Sequence, residues 1–266
     1  MGLEWSSDFS YDYFRKLLQA VKSNFEVHFF SEVPHILKSN SAKPQLLLRH
    51  DVDVDLNRAL KMAEIEKEFG ISATYMMMIN SPLYRVESLS SQSVILHLIS
   101  MGHEVGLHFD FDNDEHRNSR HEHEIGSVEP EIDLACRLME DIICSPIKSI
   151  SFHRPLPQFL RGPLTVAGRV NAYSQELMAW YLSDSKGNWR EGEPLPKLLS
   201  PDRPLFQLLI HPIWWGNEHM SPQDGLQAFF EFTTQGCSPE QLRILDATLA
   251  HHISVWRSGA IEQKGK

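Results

Sequence analysis

No run of apolar residues in the sequence is long enough to cross a bilayer, so membrane insertion is not expected. The first residues, Met1 to Asp8, have neither a basic start nor an apolar core. An export signal is therefore not expected, and the cytoplasm is the expected compartment. Cysteine is scarce: Cys136, Cys144 and Cys237 form no close metal-type pair and leave an odd thiol, which argues against a disulfide scaffold and fits a reducing compartment. Basic charge is scarce too. The 25 Lys and Arg face 35 Asp and Glu, a formal net charge of −10, and no basic cluster offsets it, which argues against nucleic acid as a partner. Repeats and low-complexity segments are absent, so the 266 residues read as a single domain of the length that α/β barrels fill.

What is present is an alternation of helix and strand signals. Tyr13, Phe14, Leu17, Leu18 and Val21 recur at helical spacing over Tyr11 to Lys22, behind Asp8 or Ser10 as a cap. A short strand over Phe25 to Phe30 and a polar linker over Ser39 to Pro44 follow. Helices are expected over Leu56 to Phe69, stopped by Gly70, over Val94 to Met101, stopped by Gly102, and over Glu129 to Ile143. Strands are expected at Gln45 to Leu48, Ala73 to Ile79, Val105 to Phe109, Lys148 to His153, Tyr181 to Leu182 and Leu205 to Ile210. Such alternation implies parallel strands joined by crossovers, with chemistry gathered at their C-terminal ends. Residues 1–44 read as a helix and strand packed on a barrel domain spanning 45–266.

The polar residues follow that rule. Arg49-His50-Asp51-Val52-Asp53-Val54-Asp55 comes directly after an apolar strand, and alternation would put its three carboxylates on one face. Crowded carboxylates repel and call for compensation, most simply by a divalent metal; the blander reading is an acidic turn capping the next helix. His108, His153-Arg154, Ser183-Asp184 and His211-Pro212 end four further strands. Five strand ends supplying acids, imidazoles and a guanidinium favour one shared site. Of the fourteen histidines, His50 reads as packing beside Asp51, and His103 as a structural hydrogen bond at the start of its strand.

These residues carry a resemblance. Arg49 to Asp53, Gly102-His103-Glu104-Val105-Gly106-Leu107-His108, Ser151-Phe152-His153-Arg154-Pro155, Ser183-Asp184-Ser185 to Trp189, and Leu208 to His211-Pro212 resemble, in order and spacing, the polysaccharide deacetylases of carbohydrate esterase family four, the NodB homology domain. Within it they are most similar to a WbmS-like branch associated with bacterial surface-polysaccharide (lipopolysaccharide) synthesis. The resemblance implies an α/β fold, a distorted (β/α) barrel of about seven parallel strands. It also implies a divalent metal, zinc first and cobalt, nickel or manganese next, and hydrolysis of an N-acetyl group on an amino sugar or its conjugate. By the same resemblance Asp51 is the catalytic base, Arg154 holds it, and Asp53 and His108 bind metal. His211 is the general acid steadied by Asp184, Leu208 lines the acetyl pocket, and Trp189, Trp214 and Trp215 are aromatic walls for the sugar. The sequence departs from the family pattern where a second metal histidine belongs, which holds Asp112. Asp112 and His153 are then the two candidates for third ligand, and His153 is preferred because it keeps a set of two imidazoles and one carboxylate. Hydrolysis of another amide, such as a cyclic ureide, and a non-catalytic sugar-binding protein are the alternative functions.

Overall fold

Local sequence dictates where each element starts. The computed structural model describes residues 8–111, 125–155, 159–234 and 238–250. Helix α1, Tyr11–Asn24, begins where Ser10 Oγ accepts the Tyr13 N–H, and it buries Tyr13, Phe14, Leu17, Leu18 and Val21 as their spacing requires. Strand β1, Glu26–His28, is shorter than expected because Phe30 opens a 3-10 turn leading into the short helix α2, Val33–Ile36. Strand β2, Gln45–Val52, is longer than its apolar run and is buried throughout, so it carries Arg49, His50 and Asp51 within it. Asp55 then caps α3, Leu56–Phe69, by accepting the Asn57 and Arg58 N–H groups. Strand β2 has ended at Val52, and Asp55, turned to the helix N-terminus, does not join Asp51 and Asp53. Gly70, at φ 67°, closes α3 in a left-handed turn that a side chain would strain.

The alternation continues with β3, Thr74–Met77; α4, Leu89–Ser100; β4, Glu104–Phe109; α5, Ile125–Ile143; and β5, Ser149–Phe152. Helix α4 starts earlier than its apolar pattern because Ser88 caps it at the Ser91 N–H. Short strands β6, Thr165–Val166, β7, Arg169–Asn171, and β8, Tyr181–Ser183, precede α6, Pro194–Leu199, and β9, Leu205–Ile210. Helices α7, Pro222–Thr233, and α8, Pro239–Leu249, follow. The sheet order is β6-β7-β5-β4-β3-β2-β9-β8, with β1 beside the start of β2. Every pairing is parallel except β6 with β7. The sheet curls into a distorted (β/α) barrel that β6 and β8 leave open at one seam among the described residues. Side chains bridge that seam: Gln207 on β9 donates to the Ala172 and Leu177 carbonyls beyond β7, at 3.0 and 3.2 Å.

The lower mouth is sealed. Phe30, Val33 and Ile36 pack on Leu47, Met76, Val170, Ala172 and Leu177, each buried side chain contributing roughly 1.5–3 kcal/mol. Above this plug, Thr74 and Ser149 hydroxyls donate to Glu104 Oε1 at 3.0 and 2.9 Å. Gly106 leaves room there: a Cβ would lie 2.4 Å from Met76 Sδ and 2.9 Å from the Ser149 carbonyl. With the bottom closed and the core filled, the C-terminal ends of the strands open onto a cavity of the size that small ligands use. Among the described residues no helix is long and apolar enough to cross a membrane.

Candidate active site

Period-two counting aims one polar set at the upper mouth. Arg49 and Asp51 on β2, Glu104, Gly106 and His108 on β4, Ser149 and Ser151 on β5, and Gln207 and Leu209 on β9 each share the inner face. One further step past the end of three of these strands gives Asp53, His153 and His211. All three line a cavity of about 410 Å³ together with Asp51, His108, Arg154 and Trp214.

Asp53, His108 and His153 form a metal-type group whose ligand atoms all lie within 4.8 Å of one another. His108 Nε2 is 3.1 Å and His153 Nδ1 3.4 Å from Asp53 Oδ1. Ser151 Oγ lies 2.6 Å from His108 Nδ1; an Nδ1–H donated to that hydroxyl leaves the Nε2 lone pair facing Asp53. Burial pushes the Asp53 carboxyl up, but His153 and His108 outweigh it and hold its pKa well below the usual carboxylate range. Two imidazole nitrogens and one ionised carboxylate are the donors that a divalent transition metal such as zinc takes, so the residues fit the implied ion. His153 thus stands in the ligand group, while Asp112 lies outside the described residues.

Asp51 has a different partner from the one its family resemblance implies. Arg49 Nε donates to Asp51 Oδ1 and Nη2 to Oδ2, both at 2.7 Å, and both side chains are fully buried. Gln207 Oε1 accepts Arg49 Nη1 at 3.1 Å, and the guanidinium sits 4.5 Å over the Tyr173 ring. Burial raises the Asp51 pKa, but the charge of Arg49, followed by His108 and His211, brings it below its ordinary value. Arg154 instead donates to Asp110 Oδ2 at 2.5 Å, with its side chain 31% exposed. The reason is register: His153 takes the inward position past β5, and Arg154, one residue on and in a left-handed conformation at φ 51°, turns elsewhere. Arg49, two residues before Asp51 on the same strand, already faces it.

Asp184 follows β8 and is fully buried. Its Oδ1 accepts the His211 backbone N–H at 2.9 Å and lies 2.7 Å from His211 Nδ1, while its Oδ2 accepts Trp215 Nε1–H at 2.9 Å. Burial holds the Asp184 carboxyl above its ordinary value, and these donors offset only part of the rise. For His211 burial favours the neutral ring, but the hydrogen bond and charge of Asp184, with Asp53 and Asp51, push its pKa up to about 9. Its Nε2 is directed into the cavity, 4.0 Å from Asp53 Oδ2.

Of the four residues expected to line a sugar pocket, Trp214 does so. Trp215 is fully buried, its N–H given to Asp184 and its ring packed against Phe9, Phe14 and Tyr13. Trp189 is buried on Phe9. Leu208 alternates with Gln207 and Leu209, so it faces the helices and joins the outer core. Tyr173 and Tyr181 line the cavity in their place, and nothing in their local sequence marks them. Arg49 and Ser151 lay inside quoted motifs, and the signal that finds them is distance two from Asp51 and His153.

No protein-family model matches the chain, and no curated relative does. Among solved structures it is similar to the Streptococcus pyogenes deacetylase PplD, with 15% identity, 82% of this chain and 86% of that one covered, and a TM-score of 0.44. It is also similar to a chitin deacetylase from Colletotrichum lindemuthianum, at 14% identity, 80% and 91% coverage and TM-score 0.41. A third likeness is to BA3943 of Bacillus anthracis, described as a CE4 family pseudoenzyme, at 13% identity, 73% and 62% coverage and TM-score 0.40. The geometry of this site carries the functional reading.

Proposed function

We propose that this protein is a metal-dependent hydrolase that removes the N-acetyl group from an amino sugar. The observation that carries the reading is the meeting, in one cavity, of a two-histidine, one-carboxylate group with an ion-paired aspartate and a carboxylate-held histidine. Acetamide hydrolysis needs an activated water, a counter-charge for the developing oxyanion and a proton for the departing nitrogen. A divalent ion held by Asp53, His108 and His153 supplies Lewis acidity, which serves the first two needs. Asp51, kept ionised and aimed by Arg49, accepts the proton of the attacking water. His211, steadied by Asp184 through Nδ1, delivers a proton from Nε2 to the amine as it leaves. Trp214, Tyr173 and Tyr181 are the aromatic side chains that line the cavity beside the sugar.

The finer reading is a cytoplasmic step on a surface-polysaccharide precursor, as the resemblance to the WbmS-like branch of lipopolysaccharide synthesis suggests, with zinc as the first metal. A sugar-binding protein without metal is the alternative that the aspartate at 112 raises; the placing of His153 beside Asp53 and His108 supports the metal-dependent reading over it. The test is to load the full chain with zinc and assay acetate release from N-acetylated amino sugars beside ring opening of cyclic ureides. Acetate release supports the reading. Ureide hydrolysis without acetate overturns it.

A further inference from the structure

Because Arg49 holds the base, Arg154 is released to the cavity wall, and it is not the only cation there. Lys186 and Arg190, both exposed, line the same cavity. Neither makes a hydrogen bond or ion pair with another described residue. In a chain of net charge −10, cations gathered at the mouth of one cavity with no ion pair among the described residues leave their charge to the cavity. The inner acids do not claim them: Asp51 is paired with Arg49, and Asp53 and Asp184 are engaged by histidines. Asp110 takes one hydrogen bond from Arg154, and Glu191 accepts the Ser183 N–H. Among the described residues the outer wall thus carries three cations, Arg154, Lys186 and Arg190, against the one carboxylate of Glu191, while the floor holds the metal-type group.

Resting on the deacetylase reading of this site, we propose that the substrate is an amino sugar carrying an anionic group, phosphate or carboxylate, which Lys186 and Arg190 engage at the rim while the acetamide reaches the floor. A guanidinium and an ammonium facing an oxyanion group make charge-assisted hydrogen bonds, and opposite charge at a cavity mouth also speeds encounter. The cavity, at about 410 Å³, suits a sugar conjugate of small-ligand size.

The experiment uses the zinc-loaded full chain and three probes: N-acetylglucosamine, its 1-phosphate, and the analogue with a carboxylate at C6. Acetate release gives kcat/KM, and calorimetry gives Kd, at low and high salt. The proposal expects at least one anionic probe to be favoured over the neutral sugar by about tenfold, with the advantage shrinking in high salt, as screened exposed charges require. Whichever anion is favoured identifies the source. In a Lys186→Gln, Arg190→Gln double variant that ratio falls towards one. A direct preference of the metal for phosphate would instead survive the double variant, and that result, or equal use of all three probes by the wild type, overturns the proposal. If none of the probes releases acetate, the deacetylase reading fails for these sugars, and the Kd ratio still decides the anion site on its own.

Discussion

The two faces of strand β2 carry two buried polar networks with opposite fates. On the inner face, Arg49 and Asp51 form a bidentate pair at the floor of an open cavity. On the outer face, His50 Nε2 lies 2.6 Å from Glu66 Oε1, Tyr75 Oη donates to Glu66 Oε2 at 2.7 Å, and the His50 and Tyr75 rings stack at 4.4 Å. His103 Nδ1 accepts the Ala73 N–H at 3.1 Å and sits 3.6 Å from the same carboxylate. That outer network is sealed between the sheet, α3 and Phe14 of α1. Both networks are buried, and both contain acids and bases. Access separates them: only the inner pair meets a cavity and a metal-type group, so burial and charge alone mark neither as functional.

The largest expected effect lies on the inner face. His211→Ala should lower turnover by about two to four orders of magnitude, the range for a lost general acid, while elemental analysis finds the metal retained. His211 also sets a pH limb. Its pKa is raised from 6.5 to about 9, so the stability it contributes is full below 6.5 and is lost as pH rises through about 9. Turnover should fall in the same direction, as the proton donor empties. A bound dication repels the imidazolium, so the turnover limb of the metal-loaded enzyme should lie below the pH at which the metal-free chain loses the stability that His211 contributes. A pH profile of turnover and a urea series at several pH values check both signs.

Next comes the pair itself. Arg49→Met should cost about 3–5 kcal/mol in urea unfolding, because it leaves Asp51 buried without its cation. Arg154→Ala, which removes a partly exposed pair with Asp110, should cost no more than about 1 kcal/mol. Equal losses would erase the distinction between the two arginines. On the outer face, Glu66→Gln should cost about 1–3 kcal/mol through imperfect pairing with His50 and Tyr75 and leave the pH limb of turnover where it was. A displaced limb would mean that the outer network reaches the site. Asp55→Ala, which removes the α3 cap and a 3.6 Å ion pair with Arg58, should cost about 1–2 kcal/mol without touching metal content.

How much of this was legible in the sequence follows from the same strand. Asp51, Asp53, His108, His153, His211 and Asp184 could be found because each lies in the last residues of a strand or just past its end, and the alternation of helix and strand says where strands end. The partner of Asp51 was legible in principle, since Arg49 lies two residues away, but a motif read as a block hides which of its members share a face. Leu208 and Trp215 failed for the same reason: one residue of phase separates the cavity from the outer core. Tyr173 and Tyr181 had no sequence signal, because their place in the cavity depends on how the sheet curls across the open seam. Of the plug, Phe30 was read as the end of a strand and Val33 and Ile36 were assigned no element, because so short an apolar run has no period of its own.

The central claim is that Asp53, His108 and His153 hold a divalent ion and that His211 does not. Elemental analysis of the purified full chain after zinc loading and desalting, for the wild type, His153→Ala and His211→Ala, tests it most directly. The account predicts about one ion per chain in the wild type and in His211→Ala, and a large loss in His153→Ala. A wild type that retains no metal, or a His153→Ala chain that keeps the ion while His211→Ala loses it, would contradict the account.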